Sequence, residues 1–432
     1  MSGISSVGER ALPVTIPRVS LGLAAILAAG LLVYVSGSFM FAEVFGIKRP
    51  LQVLLVALLL AGALAYGLRM RWRDVNALMI FVVVMIATEI IVRGKLLYVF
   101  DGISSLLALI VIYAVPTATF WRGAKFVAWM AVTFAVMACI QFVILIFNPE
   151  LGDFRLLIND DNVILNSVKH PIMFLGLFGE LQYTLFGKPV GRMQSFALEP
   201  SLNVVYFLLP AAMAMLFNRK SYFIIGGLIL LFCVLSLSGS VFLACAFMLI
   251  WTLLLPILSI RFAFSYGLLL VLAGYLYAMQ RVGLEVMVAG LTMLKDYGDF
   301  MGKSTSLTVR GLAASENLSA ALASPLGSSN ISDMAGPWVV NGALVAGWLG
   351  AALIIVFLRG FAGELQRVNV GYGLLTRTRL GTLMLLGVMS TIVAFNDYQM
   401  SNYAGIVLLA FVHRTVVSRL AAEQRKYSRT QS

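Results

Sequence analysis

A few charged residues in an otherwise apolar chain have the types and spacing for chemistry on a phosphorylated lipid. The stretch Arg192-Met193-Gln194-Ser195-Phe196-Ala197-Leu198-Glu199-Pro200-Ser201 sets a guanidinium ahead of a carboxylate, just where a long apolar run begins. Proline suits the first turn of a helix, and the residue before it is biased toward extended backbone. Glu199 is therefore expected at a helix N-terminus, where free backbone N–H groups attract anions. A carboxylate that reaches the centre of a bilayer costs about 2–3 kcal/mol or more, so it needs a compensating partner or a task. Either Glu199 caps its own helix with Arg192 neutralising it, or it is an acid or base beside an anion-binding cation. Arg310 is the counterpart further along, since a guanidinium offers phosphate a planar fork of donors. Arg281 and Lys303 are weaker candidates from the same region. If the two segments meet, their cations can clamp a pyrophosphate.

Other reactive side chains are scarce. Of the two histidines, His170 lies between Lys169 and Pro171 and is a possible accessory proton acceptor, while His413 precedes Arg414 at the end of the last apolar run. A solvated loop position is the plainer reading of His170. Asp160 and Asp161 offer oxygen ligands to a divalent ion, but two carboxylates are too few to define a metal site. No metal and no cofactor are expected. Cys139, Cys233 and Cys245 all fall in apolar runs, which suits packing rather than disulfides. No Gly-rich phosphate loop, zinc spacing or nucleophile elbow is present.

These residues must be positioned by membrane helices. With 61% hydrophobic and 12% charged residues in 432, the chain has too few polar groups to cover a soluble globule. A helical span needs about 20 mostly apolar residues. That rule predicts spans near 19–36, 51–68, 75–92, 103–120, 126–147, 197–217, 222–237, 240–258, 262–279, 338–358, 380–396 and 401–417. The fold class is thus all-α: a polytopic bundle of about 12 transmembrane helices, forming a single integral membrane domain over 1–432.

Basic residues orient the bundle, because short cytoplasmic loops collect Lys and Arg. With both termini inside, nineteen of the 31 basic residues but only four of the 19 acids fall on the inner side. The net charge of +12 is therefore topological and gives no reason to expect nucleic acid. Two short outer loops dissent, with Lys48 and Arg49 in one and Arg93 and Lys95 in the other. Two further outer loops, 148–198 and 280–337, are too long to be mere connections. In the first, Pro171 to Gly187 is apolar but short, and reads as re-entrant or interfacial. In the second, a helical stretch with Leu318 and Leu322 on one face is broken by Ser324-Pro325-Leu326-Gly327.

The chain resembles the Wzy-type O-antigen and exopolysaccharide polymerases, in the superfamily that also holds the O-antigen ligases. The resemblance covers most of the chain as architecture and rests locally on three places. Arg192 to Ser201 is similar to the family's entry into a mid-chain helix. Leu235-Ser236-Leu237-Ser238-Gly239-Ser240 is similar to its Ser-rich break between two helices, although the basic residue often found there is missing. Arg310, then Ser324-Pro325-Leu326-Gly327 and Gly347-Trp348-Leu349-Gly350, are similar to its loop Arg, Pro-Leu-Gly and Gly-rich span.

The resemblance implies a GT-C-like membrane glycosyltransferase acting on undecaprenyl-pyrophosphate-linked oligosaccharides at the periplasmic face of a bacterial inner membrane. It also implies a chain-length regulator as a possible partner beside membrane lipid. Glu199 would be the catalytic base, and Arg192, Arg310, Arg281 and Lys303 the pyrophosphate-binding set. Ligases of the superfamily carry a histidine in the second long outer loop, and none is present here, which favours polymerase over ligase. A flippase or transporter of lipid-linked sugars is the alternative from another class, although related halves and a long central inner loop are missing. A peptidoglycan polymerase of similar topology finds no acidic motif in the second loop.

Overall fold

The computed structural model describes residues 15–37, 48–67, 70, 76–94, 96–147, 203–236, 238–263, 317–329, 337–369, 376–394 and 403–431, with three strands between 172 and 195; the strands and a few helical positions are described by backbone alone. The body is helical. Its helices are α1 (Thr15–Gly37), α2 (Lys48–Gly62), α3 (Ala77–Thr88), α4 (Leu96–Ala114), α5 (Thr117–Phe147), α6 (Leu209–Leu216), α7 (Lys220–Leu235), α8 (Gly239–Leu254), α9 (Trp338–Asn369), α10 (Arg377–Ala394) and α11 (Tyr403–Gln431). Single π turns extend α2 over Ala63–Gly67 and α3 over Glu89–Arg93, and Val204–Leu208 leads into α6.

Among the described residues four helices are long and apolar enough to cross a membrane, Lys48–Gly67, Thr117–Ile144, Trp338–Val368 and Tyr403–Ala422, and five shorter apolar helices stand with them. Hydrocarbon favours helices because each satisfies its own backbone polar groups. Large apolar side chains cover the outside, among them Leu54, Leu64, Trp129 and Leu253, the last 73% exposed. Such a surface suits lipid, whereas in water it would drive association. These features define a helical membrane protein.

Two elements form the centre. Every residue from Tyr403 to Val412 in α11 is buried, and α11 packs against α1, α3, α4, α5, α6 and α9. The stretch from Asn203 to Phe217, which follows the Glu199-Pro200-Ser201 run, is buried without exception and packs on α5, α7, α10 and α11. α1 crosses its neighbours closely, with Ala25 against Gly62 of α2 and Ile26 against Gly123 of α5. Small residues allow such crossings, on which helix association in lipid depends.

Two segments depart from the sequence-based expectation. Within 171–187, β1 (Ile172–Met173) and β2 (Gly176–Leu185) continue through β3 (Lys188–Ser195) as an antiparallel sheet in the order β1-β2-β3. This small sheet is the exception to an all-α chain. The other departure is in α9, which the sequence reads as one straight crossing over 338–358. Its backbone leaves helical geometry at Ala346 (φ −136°, ψ 17°) and Gly347 (φ 68°, ψ −173°). Trp338 and Phe357 then face each other with ring centroids 6.3 Å apart. In a straight helix the 19-residue separation would place them about 28 Å apart at 1.5 Å per residue. The first arm, 338–345, therefore folds back along the second, 348–369, bringing Gly342 into contact with Ile354.

The second arm alone, about 22 residues long, rises about 33 Å, enough for a crossing by itself. The first arm is then a half-helix folded against that crossing helix. The predicted span 262–279 lies outside the described residues apart from its first two positions.

Candidate functional site

Most of the residues singled out in the sequence lie outside the described residues: Glu199, Arg281, Lys303, Arg310 and His170, and with them Asp160 and Asp161. Arg192 belongs to β3, between Gly191, paired with Leu181, and Met193, paired with Phe178; only its backbone is described. β3 packs against α5. Among the described residues no group of three or more His, Cys, Asp or Glu side chains could hold a metal.

The glycine-containing motif of the second loop and that of the following helix do meet. A short helix over 317–323 ends in the turn Ser324-Pro325-Leu326-Gly327, closed by a bond from Gly327 N–H to the Ser324 carbonyl at 3.0 Å. This turn docks on the reversal of α9. Trp348 N–H donates to the Pro325 carbonyl at 3.0 Å, and Ser328 N–H donates to the Leu344 carbonyl at 2.9 Å. The Trp348 indole N–H adds a bond to the Ala321 carbonyl at 3.0 Å. Both central glycines are required by conformation and space. Gly327 has φ 101° and Gly347 φ 68°, and a Cβ on Gly347 would strike the Pro325 carbonyl. Leu318, Ala321, Val340, Ala343 and Leu344 seal the contact with a small apolar core.

An ionic cluster occupies the same end of the bundle. Arg93 pairs with Glu89 one turn earlier and donates from Nε to the Ser328 carbonyl at 2.8 Å and from Nη2 to the Leu344 carbonyl at 2.9 Å. Its side chain is only 4% exposed. It thus ties α3 to the docked turn and to the C-terminal end of the half-helix, where a cation is electrostatically favoured. Beside it, Arg49 Nη1 meets Asp101 Oδ1 at 2.7 Å and Gln52 Oε1 at 2.9 Å, while Gln52 Nε2 reaches Ser36 Oγ at 3.0 Å and Asp101 Oδ1 at 3.2 Å. The Tyr403 ring lies against Gly102, within electrostatic range of Glu89, Arg93 and Asp101.

Arg49 and Arg93 are two of the four cations that violate the charge rule in the sequence, and each of these two has a carboxylate partner; Lys95 lies outside the described residues. Glu89, Arg93, Asp101 and Tyr403 escape sequence reasoning as site residues. The available signal was the exception itself, with Glu89 four residues before Arg93 on one helix face.

The opposite end carries a separate group. Tyr113 Oη lies 2.8 Å from His413 Nδ1, and His413 Nε2 lies 3.1 Å from Glu364 Oε2, an ion-pair distance without hydrogen-bond alignment. Phe357 and Phe361 pack on the imidazole, and Arg414 covers the Phe120 ring at 4.6 Å. His413 is therefore packed between helices rather than standing free at a boundary.

Ser236 and Ser238 of the Ser-rich break between α7 and α8 are buried as well. Ser236 Oγ donates to the Cys233 carbonyl at 2.6 Å, and Ser238 is the extended residue from which α8 starts. Cys233 lies beside the backbone carbonyl of Asn203, so the break abuts the start of the buried α6 segment.

No family model, curated protein or solved structure matches the chain.

Proposed function

We propose that the protein is a polysaccharide polymerase, a membrane glycosyltransferase that moves an undecaprenyl-pyrophosphate-linked oligosaccharide onto a second lipid-linked repeat unit at the periplasmic face of a bacterial inner membrane. The single observation carrying this reading is the docking of Ser324-Pro325-Leu326-Gly327 on the Gly347 reversal. Two short motifs that resemble those of the polymerases are thereby one structural unit, anchored by Arg93 at the end predicted to face outward.

In the proposed reaction an acceptor sugar hydroxyl attacks the anomeric carbon of the donor. The bond from that carbon to the pyrophosphate oxygen breaks, and undecaprenyl pyrophosphate departs with the bonding electrons. Glu199 takes the hydroxyl proton, while Arg192 and Arg310, with Arg281 and Lys303 in support, bind the pyrophosphate and its developing charge. A lipid pyrophosphate is already a good leaving group, so one base suffices where glycosidases need two carboxylates. A GT-C-like architecture and a chain-length regulator as partner belong to the same proposal.

The half-helix 338–345 favours a second reading. Broken helices that end inside the membrane are a device of carriers, whose substrate sites use the exposed helix termini. Under that reading the protein moves lipid-linked oligosaccharide between leaflets. Proteoliposomes holding a fluorescent undecaprenyl-pyrophosphate oligosaccharide separate the two: the proposal expects new glycosidic bonds and no protein-dependent leaflet exchange. Exchange without bond formation would establish the carrier.

A further inference from the structure

Buried polar atoms without partners are rare in folded proteins, and each calls for an explanation. Three residues at the ionic end of the bundle carry such atoms among the described residues: Asn203, with both Nδ2 and Oδ1 unpaired, Glu89 with Oε2 unpaired, and Tyr403 with its hydroxyl unpaired. They are 0%, 7% and 6% exposed. Tyr403 starts α11, which packs against both α3 and the π turn following Asn203. π turns recur at functional sites.

We infer that Asn203, Glu89 and Tyr403 form a hydrogen-bonding subsite for sugar hydroxyls at this end of the bundle. The inference rests on the polymerase reading and names the part of the substrate that the cluster would hold. Its chemistry separates it from a phosphate site. Arg93 is paired with Glu89 and Arg49 with Asp101, so both guanidinium groups are already committed to carboxylates. What remains is an amide donor, an amide acceptor, a phenol that does both, and a carboxylate lone pair. A sugar hydroxyl is itself donor and acceptor and matches that set.

Exposure falls inward from the Arg49 and Asp101 side chains, 38% and 17% exposed, to Tyr403 beside Gly102. The ion pair thus forms a polar rim above the buried groups. Asn203 follows the proposed base Glu199 by four residues in the chain.

The test compares full-length protein with the variants Tyr403→Phe and Asn203→Leu, each of which removes polar atoms at nearly constant volume. Binding is measured in nanodiscs for undecaprenyl pyrophosphate alone and for the same lipid carrying gluco-, galacto- or manno-configured disaccharides. The parent should bind a sugar-bearing lipid more tightly than the bare one. Each variant should lose about tenfold or more of that preference. Affinity for the bare lipid should be unchanged, and the thermal midpoint equal to or above the parent's, because an unpaired polar group has been deleted. Unchanged sugar preference in both variants would overturn the subsite and leave the polar atoms to water or packing. A lowered thermal midpoint with unchanged preference would show a structural role and overturn it equally. A parent that binds bare and sugar-bearing lipid alike would defeat the subsite alone, whereas a parent that binds neither would defeat the polymerase reading with it.

Discussion

Arg93 donates from Nη2 to the backbone carbonyl of Leu344 at 2.9 Å, joining the end of α3 to the last turn of a half-helix 251 residues further along the chain. The same guanidinium holds Glu89 and the Ser328 carbonyl, so one side chain fixes three segments. Removing one partner of a buried ion pair typically costs about 3–5 kcal/mol, because the other charge is left uncompensated. Arg93→Ala is therefore expected to destabilise the protein by that order. The double change Glu89→Gln with Arg93→Met should cost distinctly less. Thermal unfolding of the purified protein in detergent reads both.

Gly347→Ala should open the docked turn. Its φ of 68° disfavours any side chain, and a Cβ would meet the Pro325 carbonyl that Trp348 N–H needs. A cost of about 1–3 kcal/mol is expected from the backbone conformation alone. Proteolysis of the native protein should increase around residue 326, where the backbone is hydrogen-bonded to α9 in the parent. A parent-like digestion pattern would contradict the docking.

The orientation predicted from charge is open to a labelling experiment. Leu326 is 73% exposed at the ionic end of the bundle, and Arg122 is exposed near the start of α5 at the other. With Cys139, Cys233 and Cys245 replaced by alanine, a membrane-impermeant maleimide should label Leu326→Cys in intact cells. Arg122→Cys should react only after permeabilisation. The reverse pattern would place both termini outside.

The helical body is legible in the sequence because hydrocarbon demands long apolar runs, and such runs are hard to hide. The reversal in α9 is not, since residues 338–358 are almost uniformly apolar. What bends the chain is a positive-φ glycine and the carbonyl of Pro325, a partner that leaves no periodic trace. In the same way Arg49 and Arg93 read as exceptions to the charge rule until Asp101 and Glu89 come into contact with them. Asn203 and Tyr403 carry no sequence signal at all, because an unpaired buried atom is defined only by what surrounds it. The strands of 172–195 were obscured for another reason: an apolar stretch of that length fits an interfacial segment as well as a hairpin.

Substitution tests the roles expected for the loop residues. Removing one electrostatic stabiliser from an active site costs about 3–4 kcal/mol, a loss of about 10² to 10³ in rate. Arg310→Ala should show that loss in product formation, with a thermal midpoint like the parent's. Glu199→Gln should abolish turnover while donor binding persists. Full turnover in Glu199→Gln would remove it as the base.

The central claim is tested most directly by incubating the purified protein with one defined undecaprenyl-pyrophosphate oligosaccharide and resolving the products by size, beside an Arg192→Ala variant. The account predicts a ladder of products spaced by one repeat unit from the parent, and its loss in the variant. Unextended substrate from the parent, under conditions in which it binds that lipid, would contradict it.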